Sequence, residues 1–106
     1  MGQRESGLSR KIMEELRLHG WFCWKQHGNE YTMKGIPDVI VCAEGFFFGL
    51  ETKNPEDRNK EDEHTRRQAH IHQQMRDAGG IAQVVCSPEE AVEVIEVSLR
   101  LRRRKS

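Results

Sequence analysis

Three residues of this chain, Asp38, Glu51 and Lys53, have the types and the spacing that suit chemistry on a charged substrate. They flank a predicted β-hairpin, in which Glu44-Gly45 forms a two-residue turn. Counting back from this turn places Asp38 opposite Glu51, with their Cβ atoms about 4.5–5.5 Å apart. Lys53 follows Glu51 by two residues, so it projects from the same face of the sheet. The sequence therefore predicts one site that contains all three side chains.

The strands of this hairpin are predicted over residues 37–43 and 46–53, because β-branched and aromatic residues dominate both segments. Alternation of side chains between faces gives the hairpin one wholly apolar face, which we expect to look into a core. That face carries Val39, Val41, Ala43, Phe46, Phe48 and Leu50.

Two carboxylates held side by side repel each other unless one is protonated or a cation lies between them. A hard divalent ion suits this position, because Mg²⁺ prefers carboxylate and carbonyl oxygens and keeps several waters. With the amine of Lys53 alongside, the arrangement outlines a site for phosphodiester hydrolysis. In the alternative interpretation, Glu51 and Lys53 form an ordinary ion pair on a solvated sheet and Asp38 is a turn residue after Pro37.

The sequence Pro37-Asp38, a hairpin and then Glu51-Thr52-Lys53 resembles the signature of PD-(D/E)XK nucleases. Gly-Ile before Pro37 and a later helix bearing Gln68 make it similar to the VRR-NUC family, in its small stand-alone form of phage or bacterial type. The resemblance implies an α/β fold, the restriction-endonuclease-like PD-(D/E)XK core, with element order αβββαβ and a mixed sheet flanked by helices.

The resemblance also implies roles for individual residues. Asp38 and Glu51 would hold Mg²⁺ or Mn²⁺, with the backbone carbonyl of Thr52 as a further ligand, and Lys53 would position or polarise the attacking water. The catalytic set would also include Gln68, on the second helix, and Glu5, near the start of the first. Both have a structural alternative: Gln68 as a hydrogen-bonded core amide, and Glu5 as a favourable charge at a helix N-terminus.

The implied function is a metal-dependent DNA endonuclease that leaves a 5′-phosphate, is structure-specific on branched DNA such as Holliday junctions, and acts as a homodimer. The alternative is a non-catalytic DNA-binding module on the same fold.

The remaining elements are predicted from apolar periodicity and from stop signals. Helices are expected over residues 5–19 and 61–78, strands over 21–27 and 81–86, and a last helix after Ser87. The inward stripe of the second helix is expected to consist of His64, Gln68, Ile71, Met75 and Ala78.

The 106 residues predict one nuclease domain over residues 1–99, followed by a basic tail, 100–106. The 17 Lys and Arg balance 17 Asp and Glu, but five of the basic residues lie in the tail. This distribution suits an acidic site with a detached basic tail that acts on a polyanion. Candidate DNA contacts are Lys34, Arg58, Lys60, Arg102, Arg103 and Arg104, and for each a solvated loop or solubilising terminus is the alternative.

No apolar run is long enough to span a membrane, and the first residues lack the apolar segment of a signal peptide, so we expect a cytoplasmic, intracellular protein. Three widely spaced cysteines, Cys23, Cys42 and Cys86, predict buried thiols rather than disulfides or zinc ligands. His70 and His72, two residues apart on a helix, point to different sides, which also argues against zinc.

Overall fold

A computed structural model describes the backbone of residues 5–105 and the side chains of residues 7–104. Its elements, in chain order, are α1 (Glu5–Leu18), β1 (Phe22–Lys25), β2 (Val39–Ala43), β3 (Phe46–Thr52), α2 (Glu63–Asp77), β4 (Ile81–Val85) and α3 (Pro88–Lys105). A short 3₁₀ turn, Pro55–Asp57, lies between β3 and α2. The predicted order of helices and strands is confirmed, with most boundaries within two residues.

The four strands form one mixed sheet in the order β1-β2-β3-β4. The first three strands are antiparallel, and β4 lies parallel to β3 after the crossover through α2. The hairpin register runs from Ala43 opposite Phe46 to Val39 opposite Leu50, as counted from the sequence. Glu44 and Gly45 have φ of 50° and 86°, the positive values that a tight two-residue turn requires.

The hydrophobic core lies on the face of the sheet that α1 and α3 cover. Both helices contribute one apolar residue per turn: Leu8, Ile12 and Leu16 from α1, and Ala91, Ile95 and Leu99 from α3. The predicted apolar face of the hairpin packs against them, and all of its residues are fully buried except Phe46, which is partly buried. The expectation of a core on this face is therefore confirmed.

Helix α2 covers the opposite face, which carries Glu51 and Lys53. Asp62 caps it, because its carboxylate accepts from the Thr65 N–H and the Thr65 hydroxyl accepts from the Asp62 N–H. Its buried residues are Gln68 and His72, one helical turn apart. The predicted stripe was thus wrong at its ends, His64 and Ala78, which are exposed. The side of α2 that faces the sheet is therefore marked by Gln68 and His72, four residues apart. Ile71 and Met75 lie beside them and are half-buried.

The basic C-terminal segment differs from the expected detached tail, since α3 continues through Lys105. Its last turns contact the body: Arg102 donates to the Gly79 carbonyl at 2.7 Å and lies 5.1 Å from the ring centre of Phe46. Arg103 forms an ion pair with Glu44 at the hairpin turn. These contacts make residues 100–105 a continuation of the helix rather than a separate segment.

Part of the sheet surface near β1 remains uncovered by α2. Phe22, Cys42 and Phe47 lie side by side across β1, β2 and β3 and are exposed. The expectation of buried thiols was therefore wrong for Cys42, although all three cysteines are free. Within residues 5–105, no helix is long and apolar enough to cross a bilayer.

Gly35 permits the close approach of α2 to the loop that ends at Asp38. It has φ of 92°, and a Cβ built there would lie 2.8 Å from Ile71 Cγ1 and 3.1 Å from the Arg67 carbonyl oxygen. We predict that Gly35→Ala destabilises the fold by about 1–3 kcal/mol more than Gly20→Ala does. Gly20 is the matched control, since it has φ of 82° with nothing within 4 Å of a built Cβ. Urea unfolding of both variants is the measurement, and equal losses would show that α2 moves away freely.

Candidate active site

Asp38 lies at the end of the long loop between β1 and β2, where two neighbouring elements fix its carboxylate. Oδ1 accepts a hydrogen bond from the Thr52 N–H at 2.8 Å. Oδ2 accepts from the Thr52 hydroxyl at 2.5 Å and from Lys25 Nζ at 3.0 Å. The backbone is anchored as well, since the Asp38 carbonyl accepts from the Gln26 N–H at 2.7 Å. The carboxylate is therefore held in one orientation before any ligand binds.

Glu51 and Lys53 are unusually buried for charged residues, with 7% and 8% of their surface exposed. Glu51 lies in β3 between two paired strands, opposite Val84 of β4. Lys53 follows the end of β3, and its N–H donates to the Val85 carbonyl at 3.0 Å. The central position of β3, covered by α2, accounts for this burial, and buried charges require a compensating partner.

Two cavities meet at this place, each about 750 Å³ in volume. The first, between the 26–36 loop and α2, is lined by Asp38, Glu51 and Gln68. The second, between α2 and residues 58–61, is lined by Lys53 and again by Gln68. The structure therefore brings together the four residues that the sequence singled out on the hairpin and the second helix.

His72 was not among the predicted site residues, yet it lies in the middle of this group. It is 3% exposed, and its Nε2 lies 3.9 Å from Glu51 Oε1. Burial lowers the pKa of His72, and the charges of Arg76 and Lys53 lower it further against the opposing effect of Asp38. The neutral form of the imidazole is therefore favoured. Its spacing of four from Gln68 was the signal in the sequence that could have found it.

Lys25 was also missed, and it changes the electrostatic argument made from the sequence. Its ammonium contacts Asp38 Oδ2 at 3.0 Å and Ser9 Oγ, on α1, at 2.8 Å. The cation that the two carboxylates require is thus supplied in part by the chain itself. The repulsion between Asp38 and Glu51 does not by itself demand a metal ion.

The other predicted site residues are dispersed. Glu5 begins α1, but its side chain lies outside the described residues. Lys34 lines the first cavity, and Arg58 and Lys60 line the second. The predicted DNA-contacting residues 102–104 lie at the end of α3, where Arg103 forms an ion pair with Glu44 of the hairpin turn. Five strand residues separate that turn from Asp38, a distance of about 20 Å along β2.

The donor atoms at the first cavity fit a hard divalent ion. Two carboxylates line it, and Gln68 Oε1 is buried without a hydrogen-bond partner among the described residues. Among side chains 7–104, no group of three or more His, Cys, Asp or Glu is arranged to hold a metal. The two carboxylates agree with Mg²⁺, which commonly uses one or two protein carboxylates together with substrate phosphate and water.

Comparisons with known proteins bear on the fold. No protein-family model matches the chain, and neither does any curated protein. A solved structure described as "VRR_NUC domain" superimposes with a TM-score of 0.66 and 24% sequence identity, covering 87% of this chain and 94% of that one. This chain has the VRR_NUC fold. The restriction-endonuclease-like α/β core predicted from the sequence is confirmed.

Glu90, at the start of α3, holds Arg58 beside the second cavity of this VRR_NUC fold. Its Oε1 accepts from the Arg58 guanidinium and from the Cys86 N–H. Partial burial raises the pKa of Glu90, but the hydrogen bonds from Arg58 and Cys86 outweigh it and leave the pKa below its ordinary value. Such a carboxylate stabilises the fold above its unfolded pKa of about 4.3, and the contribution is lost as pH falls through the lower folded pKa.

We therefore predict that Glu90→Gln loses less stability than the wild type between about pH 5 and pH 3. The measurement is the free energy of unfolding from urea titrations at several pH values. Glu89→Gln, at an exposed position in the same helical turn, serves as the control and should follow the wild-type pH dependence. A Glu90→Gln profile parallel to the wild type would contradict the assignment.

Proposed function

We propose that this protein is a divalent-metal-dependent DNA endonuclease of the VRR-NUC type. The observation that carries the proposal is the convergence of Asp38, Glu51, Lys53 and Gln68 at two adjoining cavities of a VRR_NUC fold. The likeness to the VRR_NUC structure supports the fold on which the proposal builds. Metal dependence, the DNA substrate and the residue roles are the proposal.

Asp38 and Glu51 would hold Mg²⁺ or Mn²⁺, with the Thr52 backbone carbonyl as a further ligand. The ion would lower the pKa of the attacking water and stabilise negative charge on the phosphate. The proposed site is partly preorganised, because the Asp38 carboxylate accepts hydrogen bonds from the N–H and hydroxyl of Thr52 and from the ammonium of Lys25. Less reorganisation is then needed when the substrate arrives.

Lys53 would place its ammonium beside the scissile phosphate. In the proposed reaction a water oxygen attacks phosphorus, the bond to the 3′-oxygen breaks, and that oxygen takes up a proton. The products are a 5′-phosphate and a 3′-hydroxyl. A buried ammonium offsets the charge that accumulates on the phosphoryl oxygens, and it does so more strongly than an exposed one.

The second cavity is the proposed path of the DNA backbone away from the site. Its lining is rich in cationic side chains: Lys53, Arg58, Lys60, Arg66 and Arg76. Glu61 and Glu90 also line it, but Glu90 is paired with Arg58. A row of cations that begins at the catalytic lysine suits a polyanion that continues beyond the cleaved bond.

Branched DNA, such as a Holliday junction, is the proposed substrate, and a homodimer the proposed assembly. Two-fold symmetry would place one active site near each of two strands of a junction. This part rests on the family resemblance. The second candidate function is a DNA-binding module without catalysis. The ion pair between Lys25 and Asp38 favours it, because it neutralises the carboxylate without a metal.

We predict that Asp38→Asn and Glu51→Gln each reduce cleavage by about 10³-fold or more, since several kcal/mol of transition-state stabilisation would be lost. Lys53→Met should reduce it by about 10²-fold. The assay is the cleavage of fluorescent four-way junctions, flaps and duplexes in Mg²⁺, in Mn²⁺ and in chelator, with the oligomeric state measured on the same sample.

Glu93→Gln, at an exposed position on α3, is the matched control and should cleave like the wild type. Thermal unfolding confirms that each variant is folded. Cleavage in chelator, or full activity of Asp38→Asn, would contradict the proposed metal site. Binding of junctions with no cleavage in either metal would establish the binding module instead.

The proposed DNA path predicts different effects for two exposed arginines, Arg66 at the second cavity and Arg104 near the end of α3. Arg66→Gln should weaken binding and lower the slope of log affinity against log salt by about 1, as expected for the loss of one phosphate contact. Binding is measured by fluorescence anisotropy. Both substitutions are made in the Glu51→Gln background, so that the DNA is not cleaved during the titration. A lowered slope for Arg104→Gln, with none for Arg66→Gln, would place the DNA along α3 instead.

A further inference from the structure

We propose that His72 is a positioning residue for Glu51: its Nε2–H donates to Glu51 Oε1 in the metal-loaded protein and fixes the orientation of that carboxylate. The inference rests on the proposed function, in which Glu51 is a metal ligand. It assigns a role to a residue that the nuclease signature in the sequence does not include.

The geometry supports this contact. His72 lies on the inner face of α2, one turn after Gln68, and its Nε2 is 3.9 Å from Glu51 Oε1. A hydrogen bond between these atoms needs about 2.7–3.2 Å, so a shift of less than about 1 Å of two long side chains completes it. Both side chains are buried in the layer between β3 and α2.

The burial of His72 supplies a second reason. Its Nε2 is inaccessible to solvent and has no hydrogen-bond partner among the described residues. A buried polar atom left in that state costs about 1–3 kcal/mol, and native proteins nearly always avoid it. Donation to Glu51 would remove this cost.

His72 lies among charges of both signs. Lys53 and Arg76 are nearby cations, and Asp38 and Glu51 are nearby anions, with Glu51 Oε1 3.9 Å from Nε2. A neutral imidazole has one N–H and can donate it without cancelling the charge of the carboxylate. Glu51 would therefore keep its full negative charge for the ion while one of its oxygens is held in place. Partners of this kind typically change metal affinity by about 10–100-fold.

Direct coordination of the ion by His72 is the competing role. Imidazole favours softer ions, such as Zn²⁺ and Ni²⁺, over Mg²⁺. The ligands proposed for the ion, Asp38 and Glu51, are the carboxylates that Mg²⁺ prefers. We therefore place His72 behind Glu51 rather than on the ion.

The test compares His72→Gln with His72→Met, two unbranched side chains of similar size of which only Gln can donate a hydrogen bond. Mn²⁺ affinity is measured by calorimetry and by electron paramagnetic resonance, without DNA. His72→Met should weaken Mn²⁺ binding by about 10–100-fold, and His72→Gln should restore it to within a few-fold. His70→Gln and His70→Met, at an exposed position of the same helix, are the matched controls and should bind like the wild type.

Equal Mn²⁺ affinity of folded His72→Met and the wild type would overturn the inference. If the wild type itself binds no Mn²⁺, the proposed function fails, so the two failures are distinguishable. Nitrogen NMR of the wild-type imidazoles in Mg²⁺ does not depend on the folding of any variant. It should show the proton of His72 on Nε2, and a bare Nε2, or a direct Mn–nitrogen coupling, would overturn the inference.

Discussion

The register of the β2–β3 hairpin is the constraint on which the rest of this structure depends. Side chains alternate with a period of two, so a slip of one residue would turn Val39, Val41 and the other core residues toward α2. The same slip would separate Asp38 from Glu51. Packing and chemistry therefore require the same register, and the positive φ values of Glu44 and Gly45 fix it at the turn.

Helix α2 then determines how deeply the charged end of the hairpin is buried. Gly49, on β3, allows this approach, since a Cβ there would lie 2.8 Å from Pro37 Cγ and 3.0 Å from Met75 Cε. As a consequence, Glu51 and Lys53 are both buried. Their electrostatic interactions with each other and with any bound ligand are therefore less screened by water. The glycines around the site thus act through electrostatics as well as through packing.

The sequence predicted the site residues whose positions follow from strand register or from helical periodicity. Asp38, Glu51 and Lys53 could be placed because a two-residue turn determines every pairing above it, and Gln68 followed from helical periodicity. Lys25 could not be placed this way, because a loop of 13 residues separates β1 from β2 and does not fix their register. His72 was assigned to no role because its neighbours on α2 are polar, and the contact face of a polar helix depends on tertiary packing.

The end of α3 escaped prediction for a different reason. A run of arginines resembles a solvated terminus in composition, yet α3 packs into the core through Ile95 and Leu99 and then continues as a helix past the hairpin turn. There Glu44 and the Gly79 carbonyl, which are distant in sequence, accept from Arg103 and Arg102. Local composition cannot predict hydrogen-bond and ion-pair partners that are distant in sequence and become neighbours only in the folded chain.

The ion pair of Lys25 with Asp38 gives the site a property that its nuclease signature does not convey. In a small zinc domain the ligands are uncompensated without metal, so folding and metal binding are one event. Here the Asp38 carboxylate already accepts three hydrogen bonds, one of them from an ammonium held by Ser9. Folding would then not depend on ion binding. In the proposed metal site an ion would share Asp38 with Lys25, and such sharing would make the buried Glu51 the stronger of the two ligands.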